Sequence, residues 1–378
     1  MSSLRLVITI AVSVAALAAG VSFSDPMGSG IPGRTARAVS PFEIINIDHT
    51  PCRYDSKRQG TCMLGVSCTA AGGRFNATNP CDPRTGSTFG VCCLLQQTCD
   101  GVIMTNNTYF VNPDFPSDTT ESQTCEITVM PPRGTCYLRL DFTNFTIHDP
   151  VQGACVADQF HVPEAEHDAP MLCGYNNETH MYIYVRDLVG KQNVTLRFNL
   201  GEWNGPRQWM INVAQIECGQ DWTPGERGCL QVHMAANDTV RSYNYDERNP
   251  GRSTMLAGLD YTVCVRQAQS RCYVRWVSEF FSLSASNGTT AVGQACTQNY
   301  VLINQGFDVK QKTSIDRYCG DVFGARKNST SASPVISTAR PYHVRVRTST
   351  NATALGRGFI LKYSQLQCLN TRVISYRD

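Results

Sequence analysis

The sequence predicts an all-β protein, two tandem antiparallel β-sandwiches preceded by a small disulfide-rich module, and three observations predict it. The eighteen cysteines of the 378-residue chain fall into three consecutive sets of six. The second and third sets belong to two copies of one repeated segment. Within each copy apolar and polar residues alternate, the period of a half-buried strand rather than of a helix.

Composition excludes several function classes. A hydrophobic share of 42% rules out a disordered chain, and the charged share of 17% is below the roughly 25% of an average soluble domain. Lys and Arg number 33 against 31 Asp and Glu, a net charge of +2 without a long block of one sign. A nucleic-acid-binding protein would carry a basic stripe, and none is present. The cysteines are even in number and lack the paired Cys-x-x-Cys spacing of zinc ribbons. Disulfides formed in an oxidising compartment are expected, which excludes a cytosolic enzyme.

Residues 1–24 read as a secretory signal: Arg5, then the apolar run Leu6 to Ala19, then small residues before Ser24. That run is fourteen residues long, short of the ~20 a membrane-spanning helix needs. Residues 25–51 are rich in Gly, Pro and Ser and read as a linker. The segment Gly33 to Arg37 holds two arginines, ordinary in a linker. Cys52 to Cys93 bound a module too short to bury much core, which must rely on its disulfides. Its six cysteines are Cys52, Cys62, Cys68, Cys81, Cys92 and Cys93, whose connectivity stays open. Residues 369–378 form a polar tail without the hydrophobic stretch of a lipid-anchor signal. A soluble, secreted protein is expected, with no membrane span.

The repeat occupies 99–218 and 229–368. Cys136 opens Tyr137-Leu138-Arg139-Leu140-Asp141-Phe142, and Cys272 opens Tyr273-Val274-Arg275-Trp276-Val277. Cys155 to Phe160 corresponds to Cys296 to Val301, and Cys173-Gly174 to Cys319-Gly320. Each copy closes on a strand ending in cysteine, at Cys218 and Cys368. Leu138, Leu140 and Phe142 share one face, as do Val194, Leu196 and Phe198, and Phe359, Leu361 and Tyr363. Short strands separated by Gly, Pro and Asn turns point to β-sandwiches. Trp209 and Trp276 are read as core. Nine Asn-x-Ser/Thr acceptors accompany the leader, at Asn76, Asn106, Asn144, Asn177, Asn193, Asn237, Asn287, Asn328 and Asn351. A majority are expected to carry glycans.

These residues resemble the CUB domain, an extracellular β-sandwich of jelly-roll type. The resemblance rests on Cys99, the turn Asn112-Pro113-Asp114-Phe115-Pro116, Cys125, the strand Leu140 to Ile147, Cys155 to Phe160, and Cys173-Gly174. The second copy departs from the pattern, with Tyr243-Asn244-Tyr245 in place of the Pro turn and Asn299 in place of the Asp. Arg207-Gln208-Trp209 and the closing Gln-x-x-Cys are similar to secreted arthropod CUB proteins. The spacing of the first cysteine set resembles a clip-type module, found beside arthropod serine proteases, or a generic disulfide-stapled adaptor.

The resemblance implies the bridges Cys99–Cys125, Cys155–Cys173, Cys229–Cys264 and Cys296–Cys319. The remaining cysteines would then pair as Cys136–Cys218 and Cys272–Cys368. It also implies a test for calcium, which many CUB domains hold with converging carboxylates. The first copy keeps Asp158, but His148 stands where a Glu is expected, with Asp149 one place on, and the later Ser-Asp is missing near Phe198 to Leu200. Asp158 and Asp149 therefore make an incomplete calcium candidate. The second copy offers only Asn299, Ser282 and Ser284. The His161-Val162-Pro163-Glu164-Ala165-Glu166-His167-Asp168 stretch contains zinc-type ligands but fits no rigid zinc spacing, and Pro163 and Pro170 make it a polar loop. No resident cofactor is expected.

Catalytic signatures are missing: no Gly-x-Ser-x-Gly, no His-Glu-x-x-His, no Gly-Asp-Ser-Gly, and no cysteine left over. The expected function is that of a secreted, non-enzymatic glycoprotein binding an extracellular protein or glycan. Two alternatives stay open: a catalytically inert regulator or decoy that engages a serine protease or its zymogen, and a structural matrix component.

Overall fold

In the computed structural model, residues 50–368 are described apart from 57, 82–89, 166–168, 189, 191–192, 220–227, 285–291, 325–329 and 351–354. The expected leader, nearly all of the linker, the C-terminal tail and the acceptors Asn287, Asn328 and Asn351 lie outside the described residues. No helix among the described residues is long and apolar enough to cross a membrane.

The module contains β1 (Pro51–Arg53), β2 (Gln59–Leu64), α1 (Gly65–Ala70), β3 (Arg74–Pro80) and β4 (Gly90–Gln97). Pro51, read as linker, is already a strand residue opposite Thr61. Cys52–Cys92, Cys62–Cys81 and Cys68–Cys93 staple the module. The cluster Met63, Cys68, Cys93 and Leu95 shows how little apolar surface it encloses without them.

The first sandwich follows: β5 (Val102–Ile103), β6 (Thr108–Val111), β7 (Thr124–Val129), β8 (Thr135–Thr146), β9 (Asp158–His161), β10 (Thr179–Tyr184), β11 (Val194–Leu200) and β12 (Gln208–Glu217). One sheet runs β6-β12-β8-β10 and the other β5-β7-β11-β9. The second sandwich contains β13 (Cys229–His233), β14 (Asn237–Arg241), β15 (Asp260–Val265), β16 (Arg271–Ser284), β17 (Tyr300–Leu302), β18 (Gly306–Asp308), β19 (Thr313–Ser314), β20 (Arg317–Tyr318), β21 (Val335–Ser337), β22 (Tyr342–Arg347) and β23 (Leu355–Gln367). Its sheets, β14-β23-β16-β21-β18-β19 and β13-β15-β22-β17-β20, follow the same order as the first pair with extra edge strands. In both copies the short first strand pairs in parallel with the strand bearing the second cysteine, β5 with β7 and β13 with β15.

The alternation read from sequence is the core pattern. Leu138, Leu140, Phe142, Val194, Leu196, Phe198, Phe359 and Leu361 are wholly buried between the facing sheets, with Tyr363 nearly so. Trp209 is buried and stacks on Phe198 with centroids 4.0 Å apart, while Trp276 packs against Tyr363 at 5.4 Å. The bridges are Cys99–Cys125, Cys136–Cys218, Cys155–Cys173, Cys229–Cys264, Cys272–Cys368 and Cys296–Cys319. Cys136–Cys218 and Cys272–Cys368 occupy equivalent places, tying the start of β8 or β16 to the end of β12 or β23.

The module is not a separate bead. Its last strand, β4, continues past Cys93 to Gln97 and pairs in parallel with β6, extending the first sandwich's sheet to eight strands. Leu94, Tyr109, Val111 and Met210 bury this seam, and the backbone N–H of Gln59 donates to the Tyr109 hydroxyl at 2.7 Å.

Cys136 and Cys218 are 82 residues apart, so their bridge removes much conformational freedom from the unfolded chain. Replacing both by Ala is expected to lower the unfolding free energy by about 2–5 kcal/mol in denaturant titrations, with the fold retained.

Candidate functional site

The loops at one end of the first sandwich bring together the residues singled out for calcium. Asp158 opens β9 and is buried, and neither of its oxygens is open to a cation. Oδ2 accepts from Arg207 Nε (2.8 Å) and from the His148 backbone N–H (2.9 Å). Oδ1 accepts from Arg207 Nη2 (3.0 Å) and the Gly201 N–H (3.1 Å). Arg207, itself fully buried, also donates to the carbonyls of Thr120 and Gly201 at 2.8 and 2.6 Å. A guanidinium thus satisfies the carboxylate with the planar two-point match that arginine allows.

Asp149 points elsewhere, to Arg252 of the second sandwich at 2.7 Å. The His148 ring lies edge-on to Trp203 with centroids 4.9 Å apart, and its Nδ1 is 2.6 Å from the Asp149 carbonyl. Calcium needs six to eight converging oxygens, and the carboxylates of the candidate are each committed to an arginine. The residues do not fit the ion. Among the described residues no three His, Cys, Asp or Glu side chains converge on a metal position.

In the second copy Asn299 stands at the place of Asp158. Its Oδ1 accepts the N–H of Ser349 at 2.7 Å, just past β22, as Asp158 accepts that of Gly201 just past β11. The Cys-x-x-Asp/Asn step is therefore an acceptor that closes the following loop. Ser282 Oγ donates to Asp321 at 2.9 Å, and nothing is described of the Ser284 side chain.

The zinc-type stretch does not gather either. His161 lies in β9 opposite Arg197. Glu164 accepts from the backbone N–H and hydroxyl of Thr195, both at 2.9 Å, pinning its turn to β11. Glu166, His167 and Asp168 lie outside the described residues.

Sequence reasoning missed the junction between the sandwiches. The Tyr243-Asn244-Tyr245 departure from the family pattern is its signal. Asn244 takes a positive φ of 57°, which Asn tolerates better than most residues. Its Oδ1 accepts the Tyr175 N–H (3.0 Å), its own N–H donates to Asn176 Oδ1 (2.9 Å), and its Nδ2 donates to the Thr254 carbonyl (2.7 Å). Gly174 has φ of 74°, and a Cβ there would collide with the Asn244 amide, so the Cys-Gly step is required by the contact. Ala257 donates to the Gly153 carbonyl at 2.9 Å beside the Asp149–Arg252 pair.

Farther along, His180 Nε2 accepts the Val232 N–H at 2.8 Å, so that nitrogen carries no proton. The Tyr243 hydroxyl donates to the His180 carbonyl at 2.8 Å, and the His180 and His233 rings meet at 5.1 Å. Burial, then the nearby charges of Arg139 and His233, hold the His180 imidazole well below its usual 6.5. Hydrogen bonding from His233 in turn holds the Asp238 carboxyl below its usual range, at 2.8 Å.

One exposed apolar rim survives at this loop end. Val156 and Met171, beside the Cys155–Cys173 bridge, are 61% and 42% exposed. The Gly201 N–H donates to Ala157 O at 3.0 Å, and two residues on the half-buried Trp203 rests on the Arg207 guanidinium, 5.2 Å from its ring centroid. Among the glycan acceptors, Asn193 and Asn237 are exposed, whereas Asn106, Asn144 and Asn177 are half-buried. Asn144 Nδ2 donates to Gln208, and Asn177 Oδ1 accepts the Phe145 N–H at 2.6 Å. Nothing is described of the Asn76 side chain.

Two outcomes are expected. Asp158→Ala leaves the Arg207 charge buried and alone, and should cost about 3–5 kcal/mol in urea titrations, with Arg207→Ala matching it. Because His180 protonates more readily in the unfolded chain, stability should fall as pH drops below 6.5, by up to about 1.4 kcal/mol per pH unit. Unfolding titrations between pH 7.5 and 5 should show that slope, flattened in His180→Gln.

Solved structures to which the chain is similar include the CUB1-EGF-CUB2 domains of rat MASP-1, at 12% identity over 70% of this chain and 99% of that one, TM-score 0.25. Others are the CUB1-EGF-CUB2 domain of human MASP-1/3 (13%, 68% and 98%, TM-score 0.23) and the full extracellular region of zebrafish Gpr126/Adgrg6 (12%, 74% and 38%, TM-score 0.27). At TM-scores this low the likeness says nothing of function. No curated protein matches the sequence. Residues 226–366 match the family model of the animal CUB domain, a module that is typically extracellular and protein-binding.

Proposed function

We propose that this is a secreted, non-catalytic glycoprotein that binds an extracellular protein through two rigidly joined CUB-like sandwiches. The observation that carries the reading is the rim of Val156, Met171 and Trp203, held on loops that a disulfide and a buried ion pair keep still. Exposed apolar side chains and a half-buried indole on the loops of one sandwich end suit a protein anchor, since interface energy concentrates on such aromatic residues. The scaffold beneath is fixed by Cys155–Cys173 and by Arg207–Asp158, so binding orders little that is not already ordered. The match of 226–366 to the animal CUB domain supports the protein-binding role, and the nine disulfides support an extracellular setting. Reading 99–218 as a second CUB-like unit rests on its shared strand order with the other copy.

The test is affinity capture from the extracellular fluid of the source organism, followed by binding measurements on the recovered protein. Trp203→Ala and Val156→Asp should each weaken binding by about 30-fold or more, the scale of an anchor residue. Phe307→Ala, at an exposed residue of β18, should leave it unchanged. Unaltered affinity in both rim variants would sink the assignment of this surface, and turnover of peptide or glycan substrates by the pure protein would sink the non-catalytic reading.

A further inference from the structure

A cavity of about 680 Å³ lies where the module leans over the outer face of the first sandwich. Its size is within the range of small-ligand sites, roughly 300–1,000 Å³. Thr50, Pro51 and Gln59 of the module form one wall, and the outward side chains of β8 and β12 form the floor.

The lining is polar in a specific way. Arg139 and Asp141 pair at 2.7 Å, two places apart on one face of β8. Asn212, only 4% exposed and opposite Asp141 on this outer face, carries an Oδ1 without a hydrogen-bond partner. An unpartnered buried amide oxygen is costly, and a ligand that offers a hydrogen-bond donor would relieve it. Asp141 and Glu217 outnumber Arg139 in the lining, so phosphate or sulfate is disfavoured. Neutral hydroxyl and acetamido groups fit, which is the chemistry of a saccharide.

Asn106 also lines this cavity and heads the acceptor triplet Asn106-Asn107-Thr108. Its Oδ1 accepts two backbone N–H groups, from Asn107 at 2.9 Å and Gln215 at 2.7 Å. Two donors identify that atom as the oxygen and fix the plane of the amide. The other end of the amide is Nδ2, the atom on which an N-linked glycan is carried. The Asn106 carbonyl is held in turn by the Thr61 hydroxyl at 2.7 Å, so the acceptor turn is clamped to the module.

We propose that Asn106 is glycosylated and that the first sugars of its glycan fill this cavity, bonded to Asn212 and the Arg139–Asp141 pair. The donor is an oligosaccharide on a lipid diphosphate. The bond from sugar C1 to the diphosphate oxygen breaks, Nδ2 forms the new bond to C1 and loses a proton, and the lipid diphosphate leaves with the electron pair. Attachment precedes closure of the module over the site. The glycan is then an internal wedge between module and sandwich, unlike those at the exposed Asn193 and Asn237.

The experiment uses the full chain secreted from eukaryotic cells, treated with a glycan-releasing amidase before and after denaturation, with site occupancy read by peptide mass spectrometry. Asn106 should be occupied, and its glycan released natively at least about tenfold more slowly than that at Asn237, because release awaits local opening of the module. After denaturation the two rates should converge. An unmodified Asn106 would overturn the proposal, and so would native release as fast as at Asn237. If Asn106 is unmodified but free oligosaccharide binds by calorimetry, the cavity serves an external saccharide and the covalent assignment is wrong. None of these outcomes depends on the Val156–Met171–Trp203 rim, so the two assignments fail separately.

Discussion

The arrangement of the two sandwiches turns on one side chain, the primary amide of Asn244. An amide offers an acceptor and two donors in one plane, and here the acceptor and a donor meet backbone groups on opposite sides of the seam, Tyr175 N–H and Thr254 carbonyl. The reciprocal bond from the Asn244 N–H to Asn176 closes the seam, and Asn176 is steadied by its own donation to the Cys173 carbonyl at 3.0 Å. Only glycine at 174 leaves room for the approach. With this contact in place, the Asp149–Arg252 pair and the Gly153–Ala257 bond follow along the same face. Part of the first sandwich's loop end is thereby covered, and what stays open is the side carrying Val156, Met171 and Trp203.

The buried Arg207–Asp158 pair supplies the second constraint. Two charges taken out of water are tolerated only when geometry is good and the remaining donors are used, and here each guanidinium nitrogen has an oxygen partner. The second copy reaches the same loop closure with a neutral Asn299. The two copies therefore share a backbone solution and differ in its electrostatics. In the first, the carboxylate's charge is met by an internal guanidinium.

Much of the fold was legible from residues. Alternation placed Leu138, Leu140 and Phe142 in the core, because a strand's period of two reports directly which face meets the opposite sheet. The paired tails at Cys218 and Cys368 identified the repeat, and repeated sequence gave repeated strand order. Less of the site was legible. Asp158 looked like half of a calcium site because a carboxylate at a loop reads the same whether an ion or an arginine 49 positions away meets it. Asn244 registered only as a departure from a turn pattern. The continuation of β4 into the first sandwich was hidden because a parallel pairing leaves no local mark on the strand that makes it.

The sequence by itself determined the strand pattern, the core faces, the cysteine sets and the positions of the glycan acceptors, since each is written in local spacing. Tertiary structure alone decided which partner each polar side chain met. Arg207 went to Asp158, Arg252 to Asp149, Asn244 to the 173–176 turn, and Asn106 to a cavity beneath the module. The physical reason is range. Periodicity and turn chemistry act over a few residues, whereas a buried charge or amide is satisfied by whatever the folded chain brings within about 3 Å of it.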